Sequence, residues 1–200
     1  MAVIEAQTGI AVAKLLPHER IMAVARELFC RDGIHATGID RILSEAGASK
    51  MTLYARFGSK EALVRAVLAQ EGAERRQAFF DAVNAAAPDA AGRLRAVMPV
   101  MRLWLEGERF YGCAFINAAA EHSKGAIGEP WLRTLTAEHH GAILGFLGAL
   151  AAEAGFTQPQ VLARQVLLIM DGAVAAAMVG GDASVLDIAG RTLDAVLAQS

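Results

Sequence analysis

Between residues 17 and 57 the apolar side chains fall into three short stripes of helical period, each cut off by a glycine. Pro17 suits a first helical position, where its missing N–H would have no partner anyway. Ile21, Val24, Ala25, Leu28 and Phe29 then recur at i, i+3, i+4, i+7 and i+8, which is one side of a helix. Gly33 is placed to end it. Thr37, with Asp40 three residues on, reads as an N-cap followed by an acidic first turn. A short helix with Ile39, Ile42, Leu43 and Ala46 turned inward is predicted there. Gly47 closes it, and Ser49 is placed to cap a third helix over about 50–57. Three short helices with a glycine at the second turn describe a helix-turn-helix with a supporting first helix.

Beyond Gly58-Ser59 the helical period continues. Leu63, Val64, Val67 and Leu68 predict a longer helix from Ser59 to about Val83. A further helix begins at Pro88 and runs through Met98, Met101, Trp104 and Leu105, with a kink expected at Pro99. Residues 112–122 read as one short helix. Residues 130–153 and 159–179 read as two long ones, and a last helix follows Gly180-Gly181-Asp182 to about residue 198. The hydrophobic fraction, 54%, is led by alanine, and β-branched or aromatic runs are scarce. The expected fold is all-α with nine or ten helices and no strand. An arm (1–16), a helix-turn-helix domain (17–65) and a larger helical domain (66–200) follow from the pattern.

Several function classes recede. No run reaches 18 uninterrupted apolar residues, and Asp171 and Gly172 interrupt the most apolar helix, so no membrane span is expected. The N-terminal stretch carries Glu5 and lacks a basic leader, so a cytoplasmic location is expected. Cys30 and Cys113 lie far apart within apolar patterns and read as buried free thiols. Glu121-His122 and Glu138-His139-His140 suggest a metal, but adjacent histidines point about 100° apart on a helix and cannot easily share one ion. No metal, cofactor or catalytic constellation is expected. Net charge is −2, yet residues 17–65 hold eight Lys or Arg against six Asp or Glu, while residues 66–200 hold ten against fourteen. The positive charge is local, as suits one module that meets phosphate.

Angles sort the third helix. With Leu53 at zero and 100° per residue, Phe57 falls about 40° away and the two define a buried face. Met51, Thr52 and Ala55 fall roughly opposite, with Lys50, Tyr54 and Arg56 on the flanks. Met51, Ala55 and the Thr52 methyl suit thymine methyls in a major groove, and Lys50 or Arg56 suits guanine O6 and N7. Tyr54, Lys60, Thr37 and Ser49 are placed for backbone phosphates.

The stretch from Ala36 to Leu63 resembles the DNA-binding signature of the tetracycline-repressor (TetR) family. The resemblance rests on Gly47, Ser49, Thr52-Leu53-Tyr54, Phe57 and Ser59-Lys60-Glu61-Ala62-Leu63, and covers roughly residues 17–68. Gly58 departs from it, where proline is common, as does Ala55, where a larger groove-facing residue often sits. The resemblance implies a sequence-specific transcriptional regulator, with Tyr54 and Lys60 on phosphates and Lys50, Met51, Thr52 and Arg56 facing bases. It also implies that the remaining residues form a helical ligand-binding and dimerisation domain. Residues 112–121 resemble a passage found in one branch of the family.

One helix-turn-helix reads few base pairs, so a two-fold homodimer on double-stranded operator DNA is expected. Its candidate helices are 130–153, with Gly141, Gly145 and Gly148, and 159–179, with Ala173, Ala176 and Ala177; Leu144, Leu167 and Met170 would supply packed area. About 130 residues beyond the reading head exceed what dimerisation needs. A small, largely apolar effector that binds among residues 88–180 and releases a repressor from DNA is therefore expected. Met98, Met101, Trp104, Phe115, Trp131 and Met170 are candidates to line its site, with Asn117, His122 and Asp171 to orient it. The same residues read first of all as core, and only a few of them are expected to line a site. The alternative is a helical protein-interaction module, or a constitutive regulator that answers to no small molecule.

Overall fold

The structure, a computed structural model, describes residues 15–122, 130–180 and 184–199. Among them are nine helices and no strand: α1 (Pro17–Asp32), α2 (Ile39–Ala46), α3 (Lys50–Phe57), α4 (Lys60–Ala86), α5 (Ala90–Leu105), α6 (Ala114–Glu121), α7 (Pro130–Glu153), α8 (Pro159–Gly180) and α9 (Ser184–Gln199).

Local chemistry accounts for most of the boundaries. Pro17 opens α1, and Glu19 reaches back to accept the Leu16 N–H at 2.8 Å. Gly47 takes the left-handed conformation, and both it and Ala48 return their N–H groups to the last turn of α2. Ser49 caps α3 by accepting the Thr52 N–H at 3.1 Å, and Ser59 caps α4 by accepting that of Ala62. Two starts fall later than expected. Asp89, not Pro88, caps α5 by accepting the Gly92 N–H, because its carboxylate is the group able to do so. The sixth helix begins at Ala114 rather than Gly112, whose φ of +86° lies outside the helical region. Pro99 stays inside α5 and offers no N–H to the carbonyl four residues back. Cys30 and Cys113 form no disulfide, and each is half-buried rather than buried.

The chain packs as two compact units. Among the described residues, the first gathers 15–71 with 114–122 and 130–132, and the second gathers 72–113 with 133–180 and 184–199. In the first, α1 packs on α2 and α3, and Ile21, Leu28, Ile42, Leu53, Leu63 and Val64 are among its fully buried side chains. In the second, α9 packs on α8 and α5 around Leu94, Leu147, Leu162 and Leu193. α4 and α7 each contribute residues to both units.

α8 is long and apolar enough to cross a membrane, and only about a third of its most apolar window is buried. The criterion of uninterrupted apolar residues missed this. Val161, Gln165, Leu168, Gly172, Ala175 and Val179 recur along it at helical spacing and are all exposed. The residues expected to face a partner, Leu167, Met170 and Ala173, are instead buried within the chain's own core. Gly148 likewise serves internal packing, since a Cβ there would lie 2.8 Å from the Gln160 side chain. One helix has two apolar sides, and the core took the one carrying those residues.

Candidate nucleic-acid interface

The helix-turn-helix is built on one buried contact and one polar clamp. Leu53 is fully buried and anchors α3 against α1. The Arg20 guanidinium, on the first turn of α1, donates to Ala46 O at 2.8 Å, Gly47 O at 2.9 Å and Leu15 O at 3.0 Å. It thereby supplies donors to the carbonyls of the α2–α3 turn, which fixes that turn relative to α1. Arg20 was not singled out from the sequence. A cation in the first turn of a helix, where the helix dipole disfavours it, was the available hint.

With Leu53 inside, the outer surface of α3 follows. Met51 is 80% exposed and Tyr54 50% exposed, Ala55 and Arg56 are exposed, and Thr52 is half-buried. Thr52 Oγ1 lies 3.0 Å from Ser49 Oγ, so both hydroxyls are joined at the start of the helix.

The cations are mostly committed. Lys50 Nζ pairs with Asp40 at 2.8 Å, and this raises the lysine above its ordinary pKa. Arg41 bonds Asp32 at 2.8 Å and Glu45 at 2.9 Å, and Arg31 also holds Asp32, whose pKa is lowered to about 2. Arg26 pairs with the buried Glu71. Arg56 has no hydrogen-bond or ion-pair partner among the described residues. The local positive excess is therefore largely internal, and Arg56 is the cation that α3 leaves for an outside anion.

Two expected phosphate contacts are placed differently. Thr37 is fully buried, and its hydroxyl donates to Gly33 O at 2.7 Å and is 3.4 Å from Leu28 O. It does not cap α2, whose N-cap is Gly38. Its side chain is turned away from any phosphate, because the carbonyls ending α1 need a donor there. The Lys60 ammonium donates to Ile34 O at 2.7 Å, so its stem lies against the module.

The expected effector residues divide between the two units. Phe115, Asn117, His122 and Trp131 belong to the first, and Met98, Met101, Trp104, Met170 and Asp171 to the second. In the first unit Arg65 lies over the Trp131 ring at 5.6 Å, and His122 meets it edge-on. A cavity of about 10 Å³, room for roughly one water, lies between α1, α4 and α6, bordered by Phe29, Cys30, Val67, Glu71 and Asn117. In the second, Met98, Met101 and Met170 are buried, Arg75 lies over Trp104, and Asp171 is 3.8 Å from His140. The Trp104 and Trp131 indole N–H groups are buried without a hydrogen-bond partner among the described residues. No group of three or more metal-binding side chains converges among the described residues.

Residues 21–67 match the family model for bacterial regulatory proteins of the tetR family. The segment is similar to the HTH-type transcriptional regulator UidR of Escherichia coli (strain K12), with 41% identity over 52 residues. That match spans 26% of this chain and 26% of UidR, so the chain aligns with about a quarter of the length of the curated relatives. Likeness to solved structures extends much further. A TetR-family transcriptional regulator from Streptomyces coelicolor superposes with a TM-score of 0.82 at 32% identity, covering 92% of this chain and 95% of that one. A TetR transcriptional regulator from Chloroflexus aurantiacus shares the fold at 24% identity, with a TM-score of 0.78 over 92% of this chain and 95% of its own. With a relative this similar along nearly its whole length, and a capped, clamped helix-turn-helix at the matching place, the chain belongs to the TetR family of transcriptional regulators.

Proposed function

We propose that this chain is a sequence-specific DNA-binding regulator that works as a homodimer on operator DNA, a repressor released by a small, largely apolar effector. The observation that carries the DNA reading is α3 itself. Leu53 is buried while Met51, Tyr54, Ala55 and Arg56 stand out from the opposite side and flanks. Such a surface fits a major groove, with methyl-rich contacts at its centre and a cation and a phenol at its edges. Functionally the chain divides into a reading head over residues 17–65 and an effector and dimerisation part over 66–200. Lys60 reaches a phosphate in this reading only by leaving the Ile34 carbonyl.

The exposed side of α8 supports the dimer, because Val161, Leu168 and Val179 form an apolar row that gains by burial against a second copy. Gly141, Ala142, Gly145, Ala149 and Ala152 line an exposed side of α7, where small side chains allow close approach. The same burial accounts for α8 without a bilayer. The effector reading draws support from the buried methionines beside Trp104, whose indole N–H lacks an acceptor.

The test is a gel-shift titration of the purified protein on its own upstream DNA at several salt concentrations. Arg56→Ala is expected to weaken specific binding by about 1–3 kcal/mol, and Tyr54→Phe to weaken all duplexes alike. Binding that is unchanged in both variants removes α3 as the reading surface.

A further inference from the structure

We infer that Glu121, at the end of α6, is a positioning residue for the DNA-reading head: its carboxylate holds the turn between α1 and α2 and so sets where the recognition helix stands. This rests on the DNA-binding reading above. Glu121 lies far along the chain from that turn, yet both of its oxygens are engaged there. Oε1 accepts the Ile34 N–H at 3.0 Å, and Oε2 accepts the His35 N–H at 2.7 Å and lies 3.2 Å from His35 Nδ1. Consecutive amides donating to one carboxylate form a two-pronged, charge-assisted grip that a neutral side chain cannot reproduce.

The turn is shaped to receive it. Gly33 has φ +92°, and a Cβ there would lie 3.1 Å from Glu121 Oε1 and 3.3 Å from Cδ. Glycine therefore serves both the backbone angle and the close approach of the carboxylate. Other side chains hold the same turn by its carbonyls: Thr37 donates to Gly33 O and Lys60 to Ile34 O. The amides of Ile34 and His35 are held by Glu121.

Charge supports the same assignment. A glutamate in the last residue of a helix sits at the unfavourable end of the helix dipole. Here the amides and His35 offset that placement and the half-buried setting, and the carboxyl lies below its ordinary pKa. The turn leads through the buried Thr37 into α2. α2 in turn ends at the clamp Arg20 makes on the α2–α3 turn. α3 is thus carried on a segment pinned at one end by Glu121 and Lys60 and at the other by Arg20.

The experiment compares wild type, Glu121→Gln and Arg56→Ala on the upstream fragment and on a scrambled duplex, and records amide spectra of the free proteins. Glu121→Gln keeps one acceptor oxygen but turns an NH₂ group toward the second amide. It is expected to lower the ratio of specific to scrambled binding about tenfold, to leave the salt slope unchanged because no phosphate-facing cation is altered, and to shift the unfolding midpoint only slightly. In the free wild type the Ile34 and His35 amide resonances should titrate together with Glu121, and this should vanish in Glu121→Gln. If the amides do not titrate, the clamp is overturned. Titrating amides with unchanged DNA discrimination overturn the positioning role alone, with Arg56→Ala showing that the assay detects lost discrimination. A wild type that binds no duplex overturns the DNA reading, and the positioning role with it.

Discussion

His139 is buried on α7, and Arg76 Nη1 lies 2.9 Å from its Nδ1. An arginine can only donate, so Nδ1 must accept, and the ring is neutral with its proton on Nε2. Burial, with the charges of Arg76 and His140, lowers its pKa to about 4 from the ordinary 6.5. Between those values the unfolded chain binds a proton that the folded chain refuses. The contribution of this site is therefore complete above about pH 6.5 and is lost as pH falls toward 4, by at most about 3 kcal/mol. Asp171, 3.8 Å from His140, has its pKa raised by burial, which gives the opposite slope between its ordinary value and the raised one. Urea unfolding of wild type between pH 7 and 4.5 should show stability falling with acid, and His139→Gln should flatten that fall. An equal slope in the variant would assign the acid sensitivity elsewhere.

At the scale of an element, the entry into α6 shows how a single backbone angle governs a connection. Gly112 has φ +86°, and a Cβ on it would overlap the Met178 thioether of α8. Met178 is a flexible, partly exposed side chain and can move, whereas the left-handed backbone cannot be relieved for an L side chain. Gly112→Ala is therefore expected to cost about 1–2 kcal/mol, read as a lower unfolding midpoint. Gly190→Ala, inside α9 where nothing lies within 4 Å and the helix is regular, is the control and should be neutral or stabilising. Equal losses in both would mean that chain contacts, not the backbone angle, dominate at residue 112.

For the whole molecule, the exposed row on α8 leaves apolar side chains in water; Leu168 is 71% exposed and Val179 91%. Light scattering should return about twice the 21.1 kDa chain mass at micromolar concentration. Leu168→Glu should return the single-chain mass and lose most operator affinity while the helix content stays the same. A dimer that survives this substitution would move the interface to another surface. Because a reading head contacts only a few base pairs, affinity should fall with the dimer rather than with the head's own integrity.

The all-helical class, the ends of α7 and the start of α8, the Ser49 cap and the outward face of α3 were all legible in the order of the residues. Each depends on chemistry within about four positions: a proline without an N–H, a hydroxyl beside a free amide, or 100° of rotation per residue. Thr37 looked like a cap and is a buried donor; Lys60 looked like a phosphate contact and holds Ile34. Arg20 and Glu121 drew no notice for this role, because their partners lie 26 and 27 residues and 86 and 87 residues away. α6, remote in sequence, belongs to the same compact unit as the reading head, whereas α5, just before it, belongs to the other. Long charged and polar side chains take whichever unsatisfied amide or carbonyl the folded backbone brings within reach, and that pairing exists only once helices distant in the chain have met.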